Sequence, residues 1–172
     1  MACGKNDDKQ DQSDPNPCEG LRTELDATKS KLATAETNLA NAKIKMEAAV
    51  TDSTNAAKAI IQYEEIVFQN ATYESGYRKA CEDSGFKPDT KKLSEKVVAH
   101  RLAIERYTNK FPDSQLNETL LKLDEACDKY IVECTKPAPE RDAVKKCEEE
   151  VKRCEEEVER LKKEVEQCEG KN

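Results

Sequence analysis

The chain has 172 residues and a net charge of −7, with 38% charged residues, 36% apolar residues and no Trp. The acidic balance argues against a general binder of nucleic-acid backbones, because such binding needs clustered Lys and Arg. No run approaches the ~20 apolar residues of a membrane-spanning helix. So low an apolar content suits long amphipathic helices with narrow apolar seams better than a thick globular core.

The N-terminal segment is predicted to be a tether. Residues 4–17 are polar, contain two prolines and have no apolar side chain. Such a segment cannot bury enough surface to order itself, so we expect a flexible tether over residues 1–17. The first four residues, MACG, resemble the start of a processed bacterial lipoprotein, in which a Cys after a small residue is acylated and a polar tether follows. The resemblance implies a lipid anchor at Cys3, and membrane contact only through that lipid. The alternative is an ordinary cysteine after a start methionine.

A long first helix is predicted from Leu21 onward. Apolar and small side chains recur there at alternating spacings of four and three residues, which keeps them on one face of a helix. No Gly or Pro interrupts the pattern up to Ser75, and only the polar stretch 51–55 is a candidate break. The face consists of Leu21, Leu25, Thr28, Leu32, Ala35, Leu39, Ala42, Met46, Ala49, Ala56, Ile60, Tyr63 and Val67.

Three further helices are predicted after a loop. Residues 76–90 are predicted as a turn and loop, because they include two glycines and a proline. The same four/three spacing then predicts a second helix from about Lys91 and a third after the break at 111–114. A fourth follows the proline-containing turn at 136–139 and ends at about Cys168. No segment alternates for long enough to be a strand, so the predicted fold class is all-α.

The distribution of aromatic residues divides the predicted fold into two parts. All five Tyr and all three Phe lie between Tyr63 and Tyr130. We therefore expect an elongated antiparallel helical bundle or coiled coil, with a thicker central head and a thin stalk. The predicted domain spans 18–172, with the head at 51–135 and the stalk formed by 18–50 and 139–169.

The cysteine content favours an oxidising compartment. Cytosolic proteins rarely hold structural disulfides, and this polar chain has eight cysteines. A zinc site is disfavoured, because the chain has no C-x₂-C pair and only one His. We therefore expect an extracellular or cell-surface protein with at least three disulfides and no bound metal. The cysteines at or near apolar seams are Cys18, Cys81, Cys127, Cys134, Cys147, Cys154 and Cys168.

Two pairings of the fourth helix are open. The first part of helix one has a basic flank and the fourth helix an acidic one, which favours an antiparallel pair within one chain and a Cys18–Cys168 disulfide. If residues 136–139 form a tight hairpin instead, Cys127 could bond to Cys147 and the fourth helix would lie beside the upper half of helix one. The charge pattern favours the first pairing.

Catalytic chemistry is not indicated. The only histidine, His100, lies on a seam and is predicted to be a packing residue, and Glu105 is off the best helical spacing from it. No glycine-rich phosphate loop, H-E-x-x-H or G-x-S-x-G motif occurs. The acidic runs at 148–150 and 155–157 fit a solvated helix flank. We expect no enzyme activity and no cofactor.

Two segments match the N-glycan acceptor pattern, with Asn70 and Asn117 as the acceptor residues. Both lie on predicted helices rather than on loops. Two matches are near what chance supplies in a chain of this length, so both residues are candidates only if the source is eukaryotic.

Three functions are compatible with these features. The first is a secreted or cell-surface helical bundle, monomeric or homodimeric, that presents a protein-interaction head. The second is an intracellular coiled-coil scaffold or homo-oligomer with reduced cysteines. The third is a carrier of a small apolar ligand between the head helices. The rigid helices, the tether and the cysteines together favour the first.

Overall fold

The computed structural model describes residues 16–70, 74–85 and 92–171. Over these residues the chain is helical and has no strand, so the predicted all-α class and helical bundle are confirmed. The helices are α1 (Pro17–Gln69), α2 (Glu74–Asp83), α3 (Leu93–Lys110), α4 (Asn117–Glu133) and α5 (Pro137–Glu169). Within this part of the chain, no helix is both long enough and apolar enough to cross a membrane.

Helix α1 is continuous through the polar stretch 51–55, where the sequence left a break open. The hydroxyl of Thr54 donates a hydrogen bond of 2.8 Å to the carbonyl of Val50, four residues earlier. That bond satisfies the polar side chain without interrupting the helix. The helix ends at Gln69, earlier than the predicted limit at Ser75.

Helix α2 corrects the prediction of a loop over residues 76–90. Tyr77, Ala80 and Cys81 are buried at helical spacing, and this apolar face outweighs the helix-breaking tendency of Gly76. A Cβ atom at Gly76 would lie 3.3 Å from Cε2 of Tyr107, so glycine permits a close approach to α3. The helix ends before Gly85, whose φ of 83° favours glycine.

Close contacts between residues divide the chain into two compact units. The first, called here the paired-helix unit, contains residues 16–39 and 147–171; the second, the bundle unit, contains residues 40–146. The division into a head at 51–135 and a stalk at 18–50 and 139–169 stays a prediction.

The bundle unit has an aromatic-rich core. The ring of Tyr77 lies edge-on to that of Tyr107 at a centroid distance of 5.9 Å, and the partly buried Phe68 lies 6.0 Å from Tyr77. Large aliphatic residues complete the core from three helices. Its fully buried aliphatic members are Ile60, Val67, Leu120 and Leu123, and Val97, Ile104 and Leu116 are 7% exposed or less.

The paired-helix unit has a thinner core, formed by Leu25, Val158, Leu161 and Val165, with Leu21 and Leu32 packed against it. The start of α1 meets the end of α5, since Cys18 and Cys168 form a disulfide with their Cα atoms 5.8 Å apart. The two segments are therefore antiparallel within one chain, as the charge pattern favoured.

The other described cysteines depart from the expectation of at least three disulfides. In the structure Cys81, Cys127, Cys134, Cys147 and Cys154 are free thiols, including both members of the alternative Cys127–Cys147 pair. A seam position places a thiol toward a neighbouring helix, but a disulfide also needs a second thiol at the same level. Cys154, for example, lines one pocket with Ala27 and Thr28 of α1, neither of which is a cysteine.

Candidate functional site

A buried chain of polar groups joins three helices inside the bundle unit. The hydroxyl of Tyr77 on α2 lies 2.7 Å from Nδ1 of His100 on α3. Nε2 of the same imidazole lies 2.7 Å from Oε2 of Glu64 on α1. Lys96 donates a third hydrogen bond, of 3.1 Å, to the other carboxylate oxygen of Glu64. The chain of bonds therefore fixes α1, α2 and α3 to one another.

Burial and hydrogen bonding set the properties of this chain. Partial burial acts to raise the pKa of Glu64, but hydrogen bonds from His100 and Lys96 outweigh it and hold that pKa below its usual value. An ionised carboxylate only accepts hydrogen bonds, so Nε2 of His100 is the donor to Glu64. Burial strongly raises the pKa of Tyr77, which keeps its hydroxyl protonated.

Two thiols near Tyr77 are expected to be unreactive at neutral pH. Burial raises the pKa values of Cys81 and Cys127 to about 12 each. The thiolate is the reactive form of cysteine, and it is scarce at neutral pH when the pKa is so high. This cluster is inaccessible to solvent, because its four side chains are all 0% exposed: Tyr77, His100, Cys81 and Cys127. Its role in the structure is to pack the helices together.

Acid should weaken the bundle unit through Glu64. Its folded-state pKa is depressed, so its stabilising contribution is present above the unfolded value of about 4.3–4.5 and is lost as the pH falls through the lower folded-state value. We expect Glu64→Gln to cost about 1.5–3 kcal/mol of unfolding free energy at pH 7, as for hydrogen bonds to charged groups. The difference from wild type should shrink between pH 5 and pH 3, as measured by urea unfolding at each pH.

The neighbouring substitution Glu65→Gln provides the control. Glu65 is an exposed residue on the same turn, and it contacts Gln69 rather than the buried chain. Its replacement should change the stability little at any pH. A constant difference between wild type and Glu64→Gln from pH 7 to pH 3 would show that the Glu64 charge contributes nothing.

A second feature of the bundle unit is a surface groove of about 860 Å³ along α3 and α4. Four large apolar side chains in its lining are exposed: Val98, Leu102, Leu121 and Ile131, at 60%, 45%, 57% and 40% of their surface. Charged residues in the lining are Arg101, Glu105 and Asp124. We call this surface the α3/α4 groove.

The two walls of the groove are antiparallel. Arg101 on α3 forms an ion pair of 3.2 Å with Asp128 on α4. At the other end, Nδ2 of Asn117 donates hydrogen bonds to the carbonyls of Phe111 (2.8 Å) and Pro112 (3.1 Å), just after α3. The contacts at both ends hold the walls in register, so the groove is largely pre-formed.

The remaining predicted site residues are distributed as follows. Cys3 lies outside the described residues, and so do Ala71 and Thr72 of the first glycan acceptor pattern. Asn70 is exposed directly after the end of α1 rather than on the predicted helix. Asn117 is the first residue of α4, and its amide nitrogen is occupied by the two carbonyls of the preceding turn.

Comparisons of this chain with protein-family models, with curated proteins and with solved structures found no match. The functional inference therefore depends on the chemistry of the described residues.

Proposed function

We propose that this chain is a secreted or cell-surface, non-catalytic helical protein whose bundle unit binds a protein partner through the α3/α4 groove. The observation that carries the proposal is the exposure of Val98, Leu102, Leu121 and Ile131 along one groove. Large exposed apolar side chains that line one groove and are rimmed by polar residues are typical of interaction sites. Burial of a large apolar side chain by a partner contributes about 1.5–3 kcal/mol.

The disulfide supports the oxidising compartment. Cys18 and Cys168 join the ends of two segments that are far apart in sequence, and such structural bonds persist mainly outside the cytosol. The lipid anchor suggested for Cys3 would hold the protein at a membrane surface through the polar residues that follow.

The full burial of His100 and Tyr77 supports the absence of catalysis. His100 and Tyr77 would be the strongest candidates for acid–base chemistry, but both are 0% exposed. A general acid or base must come within hydrogen-bonding reach of the substrate. We therefore assign Glu64, His100 and Tyr77 to fixing α3, one wall of the groove, to α1 and α2.

The five free thiols favour a second candidate, an intracellular scaffold with reduced cysteines. In that case the Cys18–Cys168 bond would be absent in the living cell. The two candidates share the groove and differ in the redox state of that cysteine pair, so the redox state decides between them.

The groove function is tested by selecting helical peptides from a display library on the immobilised full chain. Clones that bind should lose at least about tenfold in affinity on Leu121→Asp or Leu102→Asp, since either change places a charge on the apolar surface. Affinities are measured by titration in solution.

Ile61→Asp on α1 is the matched control, because Ile61 and Leu121 are both 57% exposed and Ile61 is not in the groove lining. It adds the same charge and should leave binding unchanged. Clones that bind Leu121→Asp as tightly as wild type, or that lose affinity equally for Ile61→Asp, would refute the assignment of binding to the groove.

A further inference from the structure

We propose that the α3/α4 groove takes one amphipathic helix that carries a Lys or Arg near the middle of its contact face. This rests on the proposed function of the groove and specifies the chemistry of the partner. Three features support this assignment: the apolar residues of the groove, the register of its two walls, and the carboxylates of Glu105 and Asp124.

The dimensions of the groove match a helix. On α3 its lining extends from Val98 to Asn109, and on α4 from Asn117 to Ile131. At 1.5 Å per residue these walls are about 17 Å and 21 Å long, which corresponds to three to four helical turns. Both walls are helices, so the described part of this surface has no strand edge for an extended peptide to pair with. A helix with apolar anchors at spacings of three, four and seven residues would fill it.

The apolar contacts are placed toward the two ends. Val98, Leu102 and Ile131 lie toward the end where α3 begins, and Leu121 lies toward the end where α4 begins. Two carboxylates, Glu105 and Asp124, lie between these ends. Arg101, near the end where α3 begins, is occupied by its ion pair with Asp128. Neither Glu105 nor Asp124 forms an ion pair with any residue that the structure describes.

These two carboxylates lie at the same level of the groove. Glu105 follows Arg101 by four residues on α3, and Asp124 precedes Asp128 by four residues on the antiparallel α4. One stands on each wall, so a basic side chain at the middle of a bound helix would lie between them. Burial and then the neighbouring Asp128 charge raise the pKa of Asp124, and Arg101 only partly opposes this. A cation from a partner would stabilise the ionised form of Asp124 against its burial and the neighbouring negative charge of Asp128.

The same charges disfavour a second copy of this chain as the occupant. In a two-fold symmetric dimer, groove would face groove, and the Glu105 and Asp124 carboxylates of both copies would be brought together. Like charges directly opposed at an interface are unfavourable. A separate partner with a basic residue avoids this repulsion.

The test uses a display library of helical peptides about 14 residues long, a length that matches the groove. Leu and Ile are fixed on one face, and the flanking positions are drawn from Lys, Arg, Gln and Glu. Selection on wild-type protein, with counter-selection on Leu121→Asp, should enrich Lys or Arg over Glu at the middle of the contact face. Selected peptides should bind the double variant Glu105→Gln, Asp124→Asn about tenfold more weakly, as expected for two partly exposed ion pairs.

Glu118→Gln is the matched control, because it removes a carboxylate from α4 outside the groove lining, and it should leave affinity unchanged. Peptides that depend on Leu121 but show no basic preference, or that bind the double variant equally well, would overturn the basic-partner proposal and leave the groove function standing. Failure to recover any peptide sensitive to Leu121→Asp would overturn the groove function itself. Self-association in sedimentation velocity that is abolished by Leu121→Asp would assign the groove to a second copy and overturn the proposal.

Discussion

Replacing both Cys18 and Cys168 with serine is expected to lower the unfolding free energy by about 5 kcal/mol, the chain-entropy value for a loop of this size. The bond closes a sequence separation of 150 residues, so it removes many conformations from the unfolded chain. Native-state strain and residual unfolded structure often make the measured effect smaller. Urea unfolding of wild type and the double variant, followed by helical circular dichroism, measures the difference.

Cys134→Ser is the matched control, because Cys134 is an exposed free thiol and its replacement should change stability by less than about 0.5 kcal/mol. Peptide mapping of cells quenched in acid should recover one linked pair, with Cys18 on one peptide and Cys168 on the other. Recovery of both as free thiols would contradict the surface-protein proposal and favour the intracellular scaffold. Recovery of Cys127 joined to Cys147 would favour the alternative topology.

The antiparallel pairing of α1 with α5 was predictable because two independent patterns agreed on it. The seven-residue recurrence of apolar positions defines a contact face on each segment, and opposite net charges on the flanks favour mutual pairing. In the structure Arg22 near the start of α1 donates a hydrogen bond of 2.8 Å to Glu169 at the end of α5. Hydrogen bonding by Arg160, with a smaller contribution from the nearby Lys31 charge, lowers the pKa of Glu157.

The number of disulfides was not predictable from the same patterns. Periodicity identifies the face of a helix on which a cysteine lies. It does not identify which residue of the adjacent helix lies opposite that cysteine. Cys81 and Cys127 show the consequence: both belong to the bundle core as buried thiols, and each packs there as a small apolar side chain.

The partners of His100 were also beyond local sequence reasoning. The sequence placed His100 correctly on a packing face, but only nearby carboxylates such as Glu105 could be considered from helical spacing. Its actual partner, Glu64, is 36 residues away on α1. One signal was present, since Glu64 follows Ile60 by four residues and so borders the apolar face of that helix.

The groove was missed for a related reason. Apolar residues outside the main seam look like scattered surface residues in a sequence, and single exposed apolar residues are common. Val98 and Leu102, four residues apart, already form a short second stripe on α3. Only the antiparallel placement of α4 brings Leu121 and Ile131 into the same groove.

Truncating the bundle core should have the second large effect. Leu120 is 0% exposed and belongs to the same core cluster as Ile104 and Leu123. We expect Leu120→Ala to lower the unfolding free energy by about 2–5 kcal/mol, because it removes buried apolar contacts and leaves a cavity. Urea unfolding at neutral pH measures the loss.

The adjacent substitution Leu121→Ala is the matched control. It makes the same chemical change on the next residue of the same helix, but Leu121 is 57% exposed, so the expected loss is below about 0.5 kcal/mol. Both variants replace Leu with Ala in α4, so they change helix propensity equally. The difference between their losses of unfolding free energy therefore measures the effect of burial.

Leu32→Ala extends the comparison to the paired-helix unit. Leu32 is only partly buried and packs at the margin of a four-residue core, so its truncation should cost less than that of Leu120. The Cys18–Cys168 bond also holds the segments of that unit together when a side chain is lost. A larger loss for Leu32→Ala than for Leu120→Ala would mean that the paired helices, rather than the aromatic-rich bundle, provide most of the stability. The less stable unit would then contain the α3/α4 groove, because α4 contributes Leu120 to the bundle core and Leu121 to the groove.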